Sequence, residues 1–434
     1  MEWKLGRHAL GALLLAATTA VALPGCATVA APGTGSLNAG GPQDTSRSLR
    51  IMGADFPYTD ATVAAFEQQH PDITVEYVKG AISFEAGSVQ TLLRSGSGPD
   101  LLLVNSGPGR VGLLADAGLI WPLDEVFATN GLAGRFDPEV VRQTKAGTDG
   151  KVYEIVEGLD VFQVYYNKKL FAAHGLQVPT DWQGFLDTCQ TLHDAGVKPM
   201  LAGARDNFAG GWLLGSLVQA SAGRNKMSDI INGSGSFDDP AVVQGGQMLA
   251  DLIQRGCLDG GQAAALDGGQ AESAFWKGGG GMIVVPQGSM ANARQDGVDV
   301  SGFGSFPMPP REPGAEALPT AGLALSWVVN NSTKSRSAVI EWLRWLASPE
   351  YLALTAAKGR TLVPAQVVPA GTKLDPAVQD GLEKVAKGTG FNPSVYLPDA
   401  AKEAWYQAVQ GILTRRLSPE RAMQGVQEKL AAGR

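Results

Sequence analysis

Imidazole chemistry has little to draw on in this 434-residue sequence: its four histidines, His8, His70, His174 and His193, are scattered. Neither G-x-S-x-G nor H-E-x-x-H occurs, so an activated serine and a metal-bound water both lack their usual framework. Gly107-Pro108-Gly109-Arg110-Val111-Gly112 fits G-x-G-x-x-G after an apolar run that reads as a strand. A dinucleotide site wants that motif on the opening strand, with an acid ending the next strand about 20 residues later. Here the motif comes late and Pro108 sits in the tight turn, so a plain turn before a helix over 111–117 is the better reading. The Gly278–Gly281 run lacks a following Lys-Ser or Lys-Thr and is no P-loop. Paired carboxylates for glycoside hydrolysis could be drawn from many acids, and only their separation in space would identify them. A secreted glycosidase therefore stays as a rival reading.

The three cysteines lead to the N-terminus. Lys4 and Arg7 precede an uncharged, mostly apolar run, Ala9 to Val21, too short to span a bilayer comfortably. Leu23-Pro24-Gly25-Cys26 follows directly. Residues 1–26 thus resemble a bacterial lipoprotein signal, with Cys26 as the lipidated residue. Pro24 departs from the small residue usual at its place. Residues 27–48 are rich in Gly, Ala, Ser, Thr and Pro and cannot bury enough apolar surface to order themselves, so they read as a tether. Cys189 and Cys257 remain. They fit one disulfide of an exported protein or two separate buried thiols, since sequence gives no distance.

Behind any site must stand the elements that hold it. Leu49–Met52, Ile73–Val78, Leu101–Val104, Val161–Tyr166 and Met282–Val285 read as strands. Between and after them lie helix patterns near 60–70, 85–94, 182–195, 241–254, 336–347, 401–413 and 419–431, with Thr180 and Gln183 at capping-box spacing. Trp182, Trp342 and Trp345 fall on the apolar faces of such helices and read as core. The alternation predicts an α/β fold. The chain is longer than one core usually serves, which predicts two lobes. A formal net charge of -7 argues against binding nucleic acid phosphates.

Several segments, in order, resemble one family: Phe66-Glu67-Gln68-Gln69-His70-Pro71-Asp72-Ile73-Thr74-Val75, Ser95-Gly96-Ser97-Gly98-Pro99-Asp100, Gly150-Lys151-Val152-Tyr153, Tyr165-Tyr166-Asn167-Lys168-Lys169-Leu170-Phe171, Val178-Pro179-Thr180-Asp181-Trp182, Phe275-Trp276-Lys277-Gly278 and Trp342 to Glu350. They are similar to the extracellular solute-binding proteins of carbohydrate ABC importers, the maltose-binding-protein-like group. The resemblance implies two α/β lobes joined by a hinge, with a ligand cleft between them: lobe one from 49–157 and 319–365, lobe two from 158–318 and 366–434. Crossings are expected near 157–160, 319–323 and 362–368. It further implies a monomer, anchored at Cys26 to the outer face of the cytoplasmic membrane, that delivers a carbohydrate to permease subunits without a cofactor or catalysis. A glycerol phosphate or another polar solute is the alternative ligand.

A sugar needs aromatic platforms for its C–H faces and polar partners for hydroxyls stripped of water. The resemblance carries ligand roles onto Asp55, with Phe56 and Tyr58 beside it. It does the same for Asn105 and Ser106 after the third strand, Asp160 at the crossing, Asp206 and Phe208, Gln287 and Gly288, Gly322 on the return, and Trp405. Met290 stands where the family often has Trp, and Trp212 and Trp276 are candidate substitutes. Each aromatic also has a core reading, and Asp160 and Asp206 could be surface acids or helix caps. Cys26→Ala is expected to move the protein from the membrane fraction to the soluble fraction and to end its labelling by fatty acid; a blot of fractionated cells and a labelling gel check both.

Overall fold

A computed structural model describes residues 44, 46–80, 86–95, 98–206, 208–359 and 368–433. Cys26, the signal, tether residues 27–43, Gly96, Ser97 and the expected crossing over 362–367 lie outside them. The folded body begins slightly earlier than expected. The first strand starts at Ser48, and the Arg47 guanidinium ties its approach to Asp72 at 2.9 Å.

Eleven strands among the described residues form two sheets. They are β1 Ser48–Gly53, β2 Thr74–Lys79, β3 Leu101–Asn105, β4 Ile155–Val156, β5 Leu159–Asn167, β6 Met200–Leu201, β7 Met282–Pro286, β8 Phe303–Phe306, β9 Thr320–Leu323, β10 Leu325–Val329 and β11 Gly390–Phe391. The first sheet has the order β2-β1-β3-β10-β4, and the second β11-β9-β5-β7-β6 with β8 also paired to β5. In the first sheet β1 runs parallel to β2 and β3, while β10 lies antiparallel to β3. β3 is buried along Leu101 to Val104, as a central strand covered by helices on both faces must be.

Each sheet has its own core. Around the first, Leu49, Ile51, Leu101 and Leu103 meet Phe66 and the helix Arg336–Leu346, whose Val339, Trp342, Leu343 and Leu346 share one buried face. Phe66 meets the Trp342 ring edge-on at 4.8 Å. Around the second, Val164 and Met282 pack beneath Phe185, Leu192, Leu214 and Trp405. Trp182, Trp342 and Trp345 are all buried, as their helical spacing predicts.

Two expectations shift. The helix Trp182–Asp194 is capped one residue later than the Thr180–Gln183 spacing predicts: Asp181 Oδ1 accepts the Gly184 N–H at 2.8 Å. The return towards the first sheet also falls later than 319. β9 pairs with β5 in the second sheet and β10 with β3 in the first, so the changeover is at Ala324.

Cys189 and Cys257 form a disulfide, with Cα atoms 5.0 Å apart and both residues fully buried. The bond closes a loop of 68 residues within the second core. Loop-closure entropy gives such a link about 4 kcal/mol. Replacing both cysteines by Ala is expected to lower stability by up to that amount, read as a lower urea midpoint under oxidising conditions.

Candidate functional site

In the first sheet β1 has β2 on one side and β3 on the other. Loops leaving the carboxyl ends of strands diverge at such a switch and open a crevice. Asp55, Lys79, Asn105 and Ser106 follow or end these strands, and all line a cavity of about 740 Å³. Its opposite wall comes from the second sheet and its helices, including Asp160, Phe162, Phe208, Trp212, Lys402 and Tyr406. A neighbouring cavity of about 280 Å³ shares Asp160 and Trp212 and adds Phe56, Tyr58, Glu157, Glu272, Gln287 and Gly288.

The floor is where the chain passes between sheets. The Glu157 N–H donates to the Leu325 carbonyl at 2.8 Å, and the Ala324 N–H to the Gly158 carbonyl at 2.9 Å. The two passages thus run side by side. The buried Glu157 carboxylate accepts from Trp327 Nε1 at 2.6 Å, the Tyr351 hydroxyl at 2.8 Å and the Tyr58 hydroxyl at 3.1 Å. Three donors satisfy most of what a buried carboxylate requires.

Asp160, three residues on, is different. It stands near the start of β5 opposite Gly322. Gln287 fixes that strand end: its Oε1 accepts the Val161 N–H at 2.6 Å, and its Nε2 donates to the Leu159 carbonyl at 3.3 Å. Among the described residues no group hydrogen-bonds the Asp160 carboxylate, and burial pushes it up to about 6. Glu272 is also raised by burial, although the Ser289 hydroxyl donates to it. Ser289 is held in turn by Trp276 Nε1 at 2.9 Å.

Aromatic rings face the cleft from both walls. Phe56 and Tyr58 stack at 5.1 Å on the first-lobe side. On the other, Trp212 lies 5.3 Å from both Phe162 and Phe208, and Phe208 is 45% exposed. A ring left this open, with half-buried Trp212 and Phe56 near it, offers stacking surface for an amphipathic guest.

Residues 53–353, more than half the chain, match the family described as bacterial extracellular solute-binding protein. The chain belongs to that family. A chitin oligosaccharide binding protein superposes with a TM-score of 0.76 at 21% identity, covering 89% of this chain and 98% of its own. The maltose-bound MalE3 of T. maritima does so with a TM-score of 0.70 at 18% identity, covering 89% and 100%. The osmoprotective compounds-binding protein GgtB of Synechocystis is 28% identical over 165 residues, 38% of this chain. That match spans only about a third, 36%, of the curated relative's length.

Ten of the residues anticipated as ligand contacts in this solute-binding protein line the two cavities: Asp55, Phe56, Tyr58, Asn105, Ser106, Asp160, Phe208, Trp212, Gln287 and Gly288. Four do not. Trp405 is fully buried against Phe237, because its face of the helix Asp399–Leu413 looks into the second core; Tyr406, one residue on, lines the cleft instead. Trp276 is buried between Tyr165 and Phe303 and acts on the cleft through Ser289. Asp206 turns its Oδ2 to the Gly268 N–H at 2.9 Å. Gly322 lies beneath Val395, where a Cβ would stand 2.6 Å from Val395 Cγ2. Sequence reasoning missed Lys79, Glu157, Glu272, Lys402 and Tyr406. Glu157 opens the expected crossing, three residues before Asp160, and Tyr406 adjoins the expected tryptophan.

The G-x-G-x-x-G run forms one wide, π-type helical turn, Pro108–Gly112, leading into the helix Leu113–Asp116. It packs against the second lobe. A Cβ at Gly107 would stand 2.1 Å from the Val395 carbonyl oxygen, and one at Gly109 2.9 Å from that of Leu397. Between these glycines and the helix, Arg110 reaches Asp399 at 2.7 Å.

Asp160 has a pH signature. Folding raises its pKa, so between about pH 4 and 6 the folded state holds a proton that the unfolded chain has lost. Its charge destabilises the ligand-free protein above pH 6, and that penalty fades as pH falls towards 4. Asp160→Asn is therefore expected to raise stability at pH 7, by on the order of 1–3 kcal/mol, with the gain gone near pH 4. Melting curves of both proteins across that range check this.

Proposed function

We propose that this chain is the receptor of an ABC-type importer: it captures a carbohydrate between its lobes and delivers it, chemically unchanged, to membrane permease subunits. The observation that carries the reading is the interlobe cavity with the exposed Phe208 and half-buried Trp212 on one wall, half-buried Phe56 on the other and the Asp160 carboxylate between them. A pyranose ring offers a C–H face to Trp212 or Tyr58 and hydroxyls to Asp160, Asn105 and Ser106. Each hydroxyl needs a protein partner once water is expelled. Structural relatives named for chitin oligosaccharide and maltose support a sugar; the Synechocystis relative supports small polar solutes more broadly. The paired passages at 157–158 and 324–325 serve as the hinge about which the lobes close.

The same reading makes the protein a monomeric lipoprotein. Cys26 carries the lipid, the tether over 27–48 links it to the lobes, and the cleft opens outside the cytoplasmic membrane, where solute arrives. No cofactor takes part. A glycosidase would instead release reducing ends; incubation of the protein with the bound sugar for hours, followed by chromatography, is expected to return the sugar intact.

Calorimetric titration against a panel of mono- and oligosaccharides tests the proposal directly. At least one sugar is expected to bind, and Trp212→Ala to weaken it roughly 10-fold or more through the lost stacking face. Trp405→Phe serves as the contrast. It should lower the melting temperature, as a core truncation does, and leave affinity within about 3-fold. Weakening by Trp405→Phe but not by Trp212→Ala would place the site elsewhere.

A further inference from the structure

Two cations at the edge of the larger cavity are engaged by carboxylates. Lys79 Nζ lies 3.0 Å from Asp55 and 2.8 Å from Asp60. Arg110 is paired with Asp399 at 2.7 Å, with Glu403 at 3.6 Å. Lys402 is only 4% exposed and lines the larger cavity. Among the described residues no carboxylate stands within ion-pair distance of its ammonium and no acceptor hydrogen-bonds it. Burial, aided by Arg110, pulls its pKa down to about 7, the mark of an ammonium poorly compensated by its surroundings. Glu154 faces it from the first lobe, but its Oε1 accepts from the Ser106 hydroxyl at 3.0 Å and its Oε2 has no partner.

The wall beside Lys402 is rich in donors. Asn392 and Tyr406 line the same cavity. The Ser394 hydroxyl donates to Asn392 Oδ1 at 2.9 Å and the Ser394 N–H at 3.3 Å, which assigns the amide oxygen and leaves the buried Nδ2 without a partner. The first-lobe loop covers the lysine stem: a Cβ at Gly109 would stand 3.1 Å from Lys402 Cε. A dry ammonium with spare donors beside it is built for an acceptor that also carries charge, because a neutral hydroxyl accepts a hydrogen bond but leaves the charge unbalanced.

We propose that this end of the cleft is an oxyanion subsite in which Lys402 receives the carboxylate of an acidic sugar, with Asn392 and Tyr406 as flanking donors. The proposal rests on the carbohydrate reading given above. It narrows the ligand to sugars carrying an anionic substituent, placed so that their rings extend towards Trp212 and Asp160. A phosphate on a sugar offers the same chemistry, so the two sources must be separated by experiment.

The purified full chain is titrated calorimetrically with a uronic-acid-containing disaccharide, its neutral counterpart and the corresponding sugar phosphate. The wild type is expected to bind the uronate roughly 10-fold or more tighter than the neutral sugar. Lys402→Met should collapse that ratio to near parity, and Lys402→Arg should keep part of it by keeping the charge. The ligand-free Lys402→Met protein should melt no lower than wild type, since a buried charge has been removed, and this separates loss of preference from loss of fold. A phosphate preference that also collapses in Lys402→Met supports the subsite and assigns it to sugar phosphates. A wild-type preference for the neutral sugar, or an acidic preference that survives Lys402→Met, overturns the subsite and leaves the carbohydrate receptor standing. Binding of none of these or of the wider sugar panel overturns both.

Discussion

Two backbone hydrogen bonds between the passages at 157–158 and 324–325 fix the relation of everything else. They hold these two passages between the sheets side by side along a narrow, shared line. Glu157 reinforces the first-lobe side of that line. Its carboxylate is gripped by Tyr58, Tyr351 and Trp327, which come from a loop, a distant helix and β10. A buried charge held by three donors from three elements resists displacement, because losing any donor leaves charge unpaired in a poorly solvated place.

Asp160 and Lys402 follow the opposite rule. Both are removed from much of the solvent, and among the described residues neither has a counter-charge within ion-pair distance. Such groups cost stability in the empty protein and are rarely retained for packing. They make sense where a guest completes their hydrogen bonds. The fold supports this expense by making their neighbours rigid: Gln287 pins the strand carrying Asp160, and the helix carrying Lys402 is anchored by the fully buried Trp405. Pre-organised donors and acceptors lose little entropy when the ligand arrives, so more of the interaction appears as affinity.

Much of the fold was legible in the sequence, because apolar periodicity reports burial and burial dictates the strands and amphipathic helices. Leu101–Val104 and the helix beginning at Arg336 are the clearest instances. Sheet membership was less legible: β9 and β10 are separated by one residue yet belong to different sheets, and no local pattern announces Ala324 as the point of change. The site was readable by position along the chain but not by side-chain direction. Trp405 and Tyr406 show why. Neighbours on a helix point about 100° apart, so the choice between core and cleft depends on the rotation of that helix, which tertiary packing sets. The disulfide stayed open for the same reason, since only the packing of the helices brings Cys189 to Cys257.

The glycine motif after β3 illustrates how one local pattern serves different ends. In a nucleotide site such glycines let backbone approach phosphate. Here the approaching partner is the other lobe: the backbone at Gly107 and Gly109 lies against the carbonyls of Val395 and Leu397, where any Cβ would collide. Arg110, between those glycines and the helix, can then reach Asp399 at the N-terminal end of a second-lobe helix, where an acid already favours the helix dipole and a cation completes the pair. This contact lies away from the hinge and beside Lys402. The lobes therefore meet at both ends of the cleft, and the loop that joins them at the far end also covers the stem of the lysine proposed to read the ligand's charge. The same contact between the lobes thus keeps the Lys402 stem out of water.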